Sequence, residues 1–195
     1  MITKSELMSI SRLKGISNIG YAEKDYLLDL VLFLLCRNMK QELIFKGGTA
    51  LSKIYKLERF SEDLDFSEIK TINIGSLMKR VINDLSKFGI GAEILRIKEP
   101  FNSVLTTLRI KGPLYDGRPQ TLASIRIDIN RKSKIEIEPF RSRVISIYTE
   151  VPQFDIVKFI FQQQSRSRRP SSRGGDRSFH GGERHSSRGS SRPSR

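Results

Sequence analysis

A chain of 195 residues with 35 Lys and Arg against 21 Asp and Glu carries a net charge of +14, which fits one domain of ordinary size plus a short extension. The basic surplus suits an anionic partner such as a nucleotide or RNA as well as it suits an ordinary solvated surface. Cys36 is the single cysteine, which excludes an intrachain disulfide and any disulfide-stapled secreted scaffold.

Residues 5–14 have the spacing of a short helix, with Ser5 as its expected N-cap. Residues 22–39 predict a long helix, apolar on most faces and therefore buried, with Cys36 in the core. Its apolar run contains Asp29 and is far shorter than the roughly 20 residues a membrane span needs. The N-terminus has no signal-peptide apolar region, so a cytoplasmic protein with no membrane partner is the expectation. Leu43-Ile44-Phe45 reads as a short strand broken by Gly47-Gly48, after which Thr49 can cap a helix running to about Leu57. Leu64-Asp65-Phe66 is strand-like. Residues 74–88 have helical spacing, and Gly89 stops them. Stretches 92–98, 104–111 and 122–130 alternate with period two, separated by turn-rich segments such as Gly112-Pro113. Residues 143–148 predict a further strand. The order is an α+β pattern with a mixed sheet, without a regular βαβ repeat.

The expected division is a folded domain over residues 1–161 and a disordered tail over 162–195. The tail holds 9 Arg, no Lys, one Asp and one Glu, and hence +7 of the charge. It has too little apolar surface to offset the entropy of ordering. Two readings of it stand. Arg-rich sequence binds RNA by counterion release and by stacking on bases. Alternatively, a gene rich in GAG, AAG and GCx codons, read one base out of frame, yields Arg, Ser and Gly codons. The abrupt switch from a Lys- and Ile-rich body favours a frameshift or truncation. His180 and His185 then carry no metal-site meaning. No histidine precedes them, so a histidine-based site in the folded body is excluded.

The chemistry concentrates in a few positions. Gly47 and Gly48 let the backbone approach phosphate oxygens, and the helix after Thr49 points its free N–H groups back at the same place. On a strand, Asp63 and Asp65 project to one side. Two like charges there repel unless a cation lies between them, and magnesium favours carboxylates together with substrate phosphates. The alternative is a strand end with solvated acids, paired with Arg59 or Lys53. Asp128, between Ile127 and Ile129, would add a third carboxylate if its strand lies beside the first, which makes a two-metal site the economical reading. Lys46, Lys53, Lys56 and Arg59 bracket the turn; they could neutralise a triphosphate or simply form a solvated basic face. Ser61 could bond a phosphate or cap a turn.

Residues 23–28, then Lys46-Gly47-Gly48-Thr49-Ala50-Leu51-Ser52-Lys53, then Arg59-Phe60-Ser61-Glu62-Asp63-Leu64-Asp65-Phe66 together resemble the AbiEii-type toxins, nucleotidyltransferases of abortive-infection toxin–antitoxin pairs. The resemblance spans residues 20–160. It implies a DNA polymerase beta-like nucleotidyltransferase core with flanking helices. It also implies a nucleotide-binding set of Lys46, Gly47, Gly48, Thr49, Arg59 and Ser61, and Mg2+ held by Asp63, Asp65 and Asp128, which are also the catalytic residues. The implied partners are a nucleoside triphosphate donor, an RNA acceptor such as tRNA, and an antitoxin with a DNA-binding domain. Relatives continue into a helical half with a Glu-rich, Lys-containing helix and a later Arg-Asp segment. Here residues 152–157 look like the approach to that helix, and nothing after them can be assigned to it. The expected activity is metal-dependent transfer of a nucleoside monophosphate to an acceptor hydroxyl. The rivals are an inactive truncated homologue that still binds nucleotide or antitoxin, and an RNA-binding protein acting through its tail.

Overall fold

The computed structural model describes residues 1–57, 60–131 and 139–158. The tail expected over 162–195 and Arg59 both lie outside the described residues. Helix α1 spans Lys4–Leu13 and starts from Thr3 rather than the expected Ser5. The reason is the carboxylate three residues on. Thr3 Oγ1 accepts the Glu6 N–H, while the Glu6 carboxylate accepts the Thr3 N–H at 2.7 Å. Helix α2, Ile19–Asn38, starts from Asn18, whose Oδ1 accepts the N–H groups of Gly20 and Tyr21. It buries Leu27, Leu28, Val31 and Leu35 as its composition requires, and Cys36 is partly buried against the core. It also buries three acids, Glu23, Asp25 and Asp29.

The strands are β1 Leu43–Lys46, β2 Asp63–Glu68, β3 Ala92–Lys98, β4 Ser103–Ile110, β5 Ala123–Asn130, β6 Phe140–Val144 and β7 Phe154–Lys158. They form one sheet in the order β3-β4-β5-β2-β1-β7-β6. The β2–β5 and β1–β7 pairs are parallel and the others antiparallel, so the sheet is mixed and the class is α+β. Period-two alternation sends Leu64, Phe66, Ile125, Ile127, Ile129, Val104 and Leu108 to one face, all buried. Helices α2 and α4 (Ile74–Lys87) pack against each other and cover this side, with Leu77, Met78, Val81 and Leu85 of α4 in the same core. Fully burying each such side chain contributes ~1.5–3 kcal/mol. Helix α3, Gly47–Tyr55, leans on β1, β2 and β6. Among the described residues, no helix is long and apolar enough to cross a membrane.

One expectation near the end of the domain changes. The strand expected over 143–148 pairs only as far as Val144. Beyond it, Ile145 and Ile147 are exposed, while the alternate residues reach inward to the acids of α2. Ser146 Oγ donates to Asp29 Oδ2 at 2.6 Å and Tyr148 Oη donates to Asp25 Oδ2 at 2.8 Å. That alternation therefore serves polar contacts and not a sheet. Of residues 152–157, expected to approach a helix, 154–157 lie in β7 beside β1, with Phe154 and Ile156 buried and Asp155 exposed, and the expected helix falls outside the described residues. The alternation there is that of a strand completing the open side of β1.

Candidate active site

The chain leaves β1 in extended conformation at Lys46, φ −144, and turns at Gly47, φ +76. Only glycine adopts that left-handed value without steric cost. The turn takes one residue, so α3 begins at Gly47 with Lys46 as N-cap and no side-chain cap bond. The expectation that Thr49 caps the helix is therefore corrected. Thr49 sits inside the first turn, buried, and its Oγ1 donates to the Asp63 carbonyl at 2.5 Å. The hydroxyl ties α3 to the start of β2. The first N–H groups of α3 remain the donors available to an anion.

The parallel pairing of β2 and β5 sets Asp65 directly opposite Asp128 and Asp63 opposite Arg126. On the other side, β1 sets Lys46 opposite Asp65. Lys46, Asp65 and Asp128 thus form one row across three neighbouring strands, on the face opposite the apolar core. Burial pushes the Asp65 carboxyl above the ordinary carboxylate range. Asp128 and then Asp63 push it the same way, while Lys46 opposes. Among the described residues, no ion pair engages Asp65 or Asp128. Asp63 is different. Arg126 Nε donates to its Oδ1 at 2.8 Å and Arg126 Nη2 to its Oδ2 at 3.0 Å. The expected three-carboxylate convergence is thus incomplete, because Arg126 occupies both oxygens of the third member. Among the described residues, no cluster of three His, Cys, Asp or Glu side chains is arranged as a cation site. The donors still suit a hard divalent cation. Asp65 and Asp128 are adjacent, half-buried oxygen ligands whose mutual repulsion a cation would relieve.

Behind the glycine turn lies a buried charge cluster. Lys53, one turn along α3 from Thr49, is not a solvated lysine. Its Nζ lies 2.5 Å from Asp25 Oδ1 and 2.5 Å from Asp29 Oδ1. The second contact is an ion pair, and among the described residues Asp29 Oδ1 accepts no hydrogen bond. Lys14 Nζ reaches Asp25 Oδ2 at 2.5 Å. Burial works to raise the Asp25 pKa, but Lys53 and Lys14 outweigh it and hold it below the ordinary value. The readings of Lys53 as a partner for the β2 aspartates or for a triphosphate are both corrected. It joins α3 to α2, where it holds the helix that carries the turn. The sequence signal was there: acids four residues apart inside an apolar helix need an internal cation.

A cleft of about 490 Å³ opens beside this cluster, lined by Lys14, Thr49, Ser52, Phe60 and Ser61 among others. Ser61 thus shares this cleft with Thr49. Lys56 takes a left-handed conformation, φ 57, ends α3 and is exposed. A separate surface depression of about 390 Å³ near Met8, Arg12 and Ile19 holds none of the expected site residues. Arg126 is the site residue that the sequence reading missed. Its signal was its place two residues before Asp128 on an alternating strand, hence on the same face.

The model of one protein family, described as the nucleotidyl transferase AbiEii toxin of type IV toxin–antitoxin systems, matches residues 31–161. No curated protein matches the chain. Among solved structures, a protein from H. pylori described as belonging to the nucleotidyltransferases is similar at 22% identity, with 70% of this chain and 52% of that one covered and a TM-score of 0.46. The JHP933 protein of Helicobacter pylori is similar at 22% identity, with 74% and 53% covered and a TM-score of 0.46. The chain spans about half the length of these structures.

Proposed function

The chain belongs to the AbiEii nucleotidyltransferase toxin family, and from that membership we propose that it is the core of an enzyme transferring a nucleoside monophosphate from a nucleoside triphosphate to a hydroxyl acceptor. The observation that carries this reading is the direct cross-strand pairing of Asp65 and Asp128 beside the Gly47 turn. The N–H groups at Gly47 and Gly48 hold triphosphate oxygens, supported by the Ser61 hydroxyl and by the charges of Lys46 and Arg59. Thr49 contributes through Asp63 rather than through phosphate.

Asp65 and Asp128 are the carboxylates that would hold Mg2+, with Asp63 joining them. Bound there, the cation supplies neutralisation of the triphosphate charge. The acceptor oxygen attacks the α-phosphorus in line, the bond to the bridging oxygen breaks, and pyrophosphate leaves. In this reading Asp128 takes the proton from the acceptor hydroxyl. Catalysis is then mostly positioning and charge stabilisation. An RNA acceptor such as tRNA, a cytoplasmic setting and a separately encoded antitoxin with a DNA-binding domain complete the proposal.

The test is transfer of label from α-32P nucleoside triphosphates to total RNA. Asp65→Ala should abolish it while the far-UV spectrum stays unchanged; undiminished transfer sinks the assignment. A second reading, in which the fold binds nucleotide without turning it over, is supported by the Arg126 fork on both oxygens of Asp63. Nucleotide binding with no transfer by the unsubstituted chain would favour it.

A further inference from the structure

Arg126 stands out among the groups around the site. Its guanidinium grips both oxygens of Asp63 in a bidentate fork. Charge-assisted pairs of this kind are short and directional. Its cross-strand neighbour on the other side is Thr107 of β4, and beyond Thr107 comes Arg96 of β3. That row offers the guanidinium no other carboxylate. Glu62, the next acid, is ion-paired to Lys24. Asp63 is thus the carboxylate that accepts hydrogen bonds from Arg126, and Glu62 adds a weaker charge attraction. Conversely, each Asp63 oxygen already accepts from Arg126, so the guanidinium neutralises part of the charge, and fixes the orientation, that a cation would draw on. The guanidinium and a divalent cation compete for one carboxylate.

The geometry points to Arg126 as a positioning residue of the metal site, one that orients Asp63 and neutralises part of its charge, so that Asp63 is a full-strength ligand only when the fork opens. This rests on the reading of Asp65 and Asp128 as cation ligands. The pair is largely exposed, with Arg126 65% and Asp63 37% accessible, so it is weak enough to yield. Exposed ion pairs are worth little against solvent. It is also strong enough to lower the affinity for a cation that arrives alone. Asp65 and Asp128, which no ion pair among the described residues engages, would be the stronger ligands, and Asp63 the weaker one while the fork is closed.

The experiment is calorimetric titration of the full chain with Mn2+ alone, without nucleotide. Arg126→Gln should bind Mn2+ about two- to fivefold tighter than the unsubstituted protein, the ratio corresponding to an exposed pair. Arg96→Gln removes an equal charge from the same face without touching Asp63, and it should give a smaller gain. In an Asp63→Asn background the Arg126→Gln gain should shrink to that of Arg96→Gln, because the contested ligand is gone and only through-space charge is left. Both arginines are exposed, so these variants should melt within a few degrees of the parent. Equal gains from Arg96→Gln and Arg126→Gln, or an Arg126→Gln gain undiminished by Asp63→Asn, would overturn the competition and leave only through-space charge. If Mn2+ binds and Asp65→Asn abolishes binding, yet Arg126→Gln is no tighter, the latch is wrong and the metal site stands. If no variant binds Mn2+, the metal-site reading and the latch fall together.

Discussion

Gly47 approaches Asp65 so closely that a β-carbon at position 47 would lie 2.0 Å from Asp65 Oδ2. The turn and the carboxylate are therefore one unit. The backbone that offers N–H groups to phosphate is packed against the side chain proposed to hold metal. A residue with a side chain at 47 must either move the turn or move the acid.

Gly47→Ala is therefore expected to damage the site twice. The left-handed φ of +76 costs alanine about 1–2 kcal/mol. The clash with Asp65 adds to this and displaces the carboxylate. Gly89→Ala is the control, since Gly89 has a similar φ of +71 with nothing within 4 Å of the added carbon. Both variants should lose stability in urea unfolding, Gly47→Ala the more. Only Gly47→Ala should weaken Mn2+ binding. Equal stability losses and unchanged metal affinity would show that the close approach has no role in the site.

The raised pKa of Asp65 makes a stability prediction with a definite sign. Burial and the neighbouring Asp128 and Asp63 make its charged form unfavourable in the folded state. The folded pKa lies above the ordinary value of 3.8, so the folded chain binds the extra proton in that window and loses stability as pH rises through it. Asp65→Asn should therefore raise Tm by a few degrees at pH 7. At pH 3, where the carboxyl is protonated in both states, it should have little effect. Added Mn2+ should stabilise the unsubstituted chain and leave Asp65→Asn unmoved. A Tm gain of the same size at both pH values would remove charge repulsion as the cause.

Much of this site was legible because its signals are local. The Gly47-Gly48 break and the alternation around Asp63, Asp65 and Asp128 depend on near neighbours in the chain, and the structure places all three acids on one sheet face. What could not be read is register. The pairing that gives Asp65 to Asp128 also gives Asp63 to Arg126, and a sequence does not state which strand lies beside which. The same limit hid the partner of Lys53. Lys53 lies on α3 and Asp25 and Asp29 on α2, joined only by the fold. It also hid β7, whose alternation has a place only because β1 has an open side.

Lys53 should be essential for the fold rather than for the chemistry. It is 10% exposed and bridges two acids that are 13% and 4% exposed. Removing one partner of such a cluster leaves charge buried without compensation, and Lys53→Met should cost ~3–5 kcal/mol in urea unfolding. Lys53→Met with Asp29→Asn should recover part of that loss. The pH window follows from the two shifts. Asp25 is depressed below the ordinary 3.8, so its contribution is present above that value and lost as pH falls through the folded pKa. For Lys53, burial lowers the pKa but Asp29 and Asp25 raise it further. Its contribution is therefore present below 10.5 and lost as pH rises through the folded pKa. The cluster should stabilise the fold across the range between. A Lys53→Met variant as stable as its parent would mean that the cluster is solvated.

Thr49 separates a structural hydroxyl from a ligand-binding one. Its Oγ1 is buried and donates to the Asp63 carbonyl, so it anchors the first residue of β2 to α3. Thr49→Val keeps the shape and deletes that bond, which should cost about 1–2 kcal/mol. It should also weaken Mn2+ binding, because Asp63 loses its anchor. Thr49→Ser keeps the hydroxyl and should retain the metal affinity, with a smaller stability loss from the missing methyl group. A hydroxyl that served phosphate directly would behave otherwise. Thr49→Val would then leave unfolding and Mn2+ binding unchanged and lower only nucleotide affinity. Urea unfolding and two titrations on the pair of variants therefore separate the roles, and the anchoring role requires the stability and metal losses to appear together in Thr49→Val.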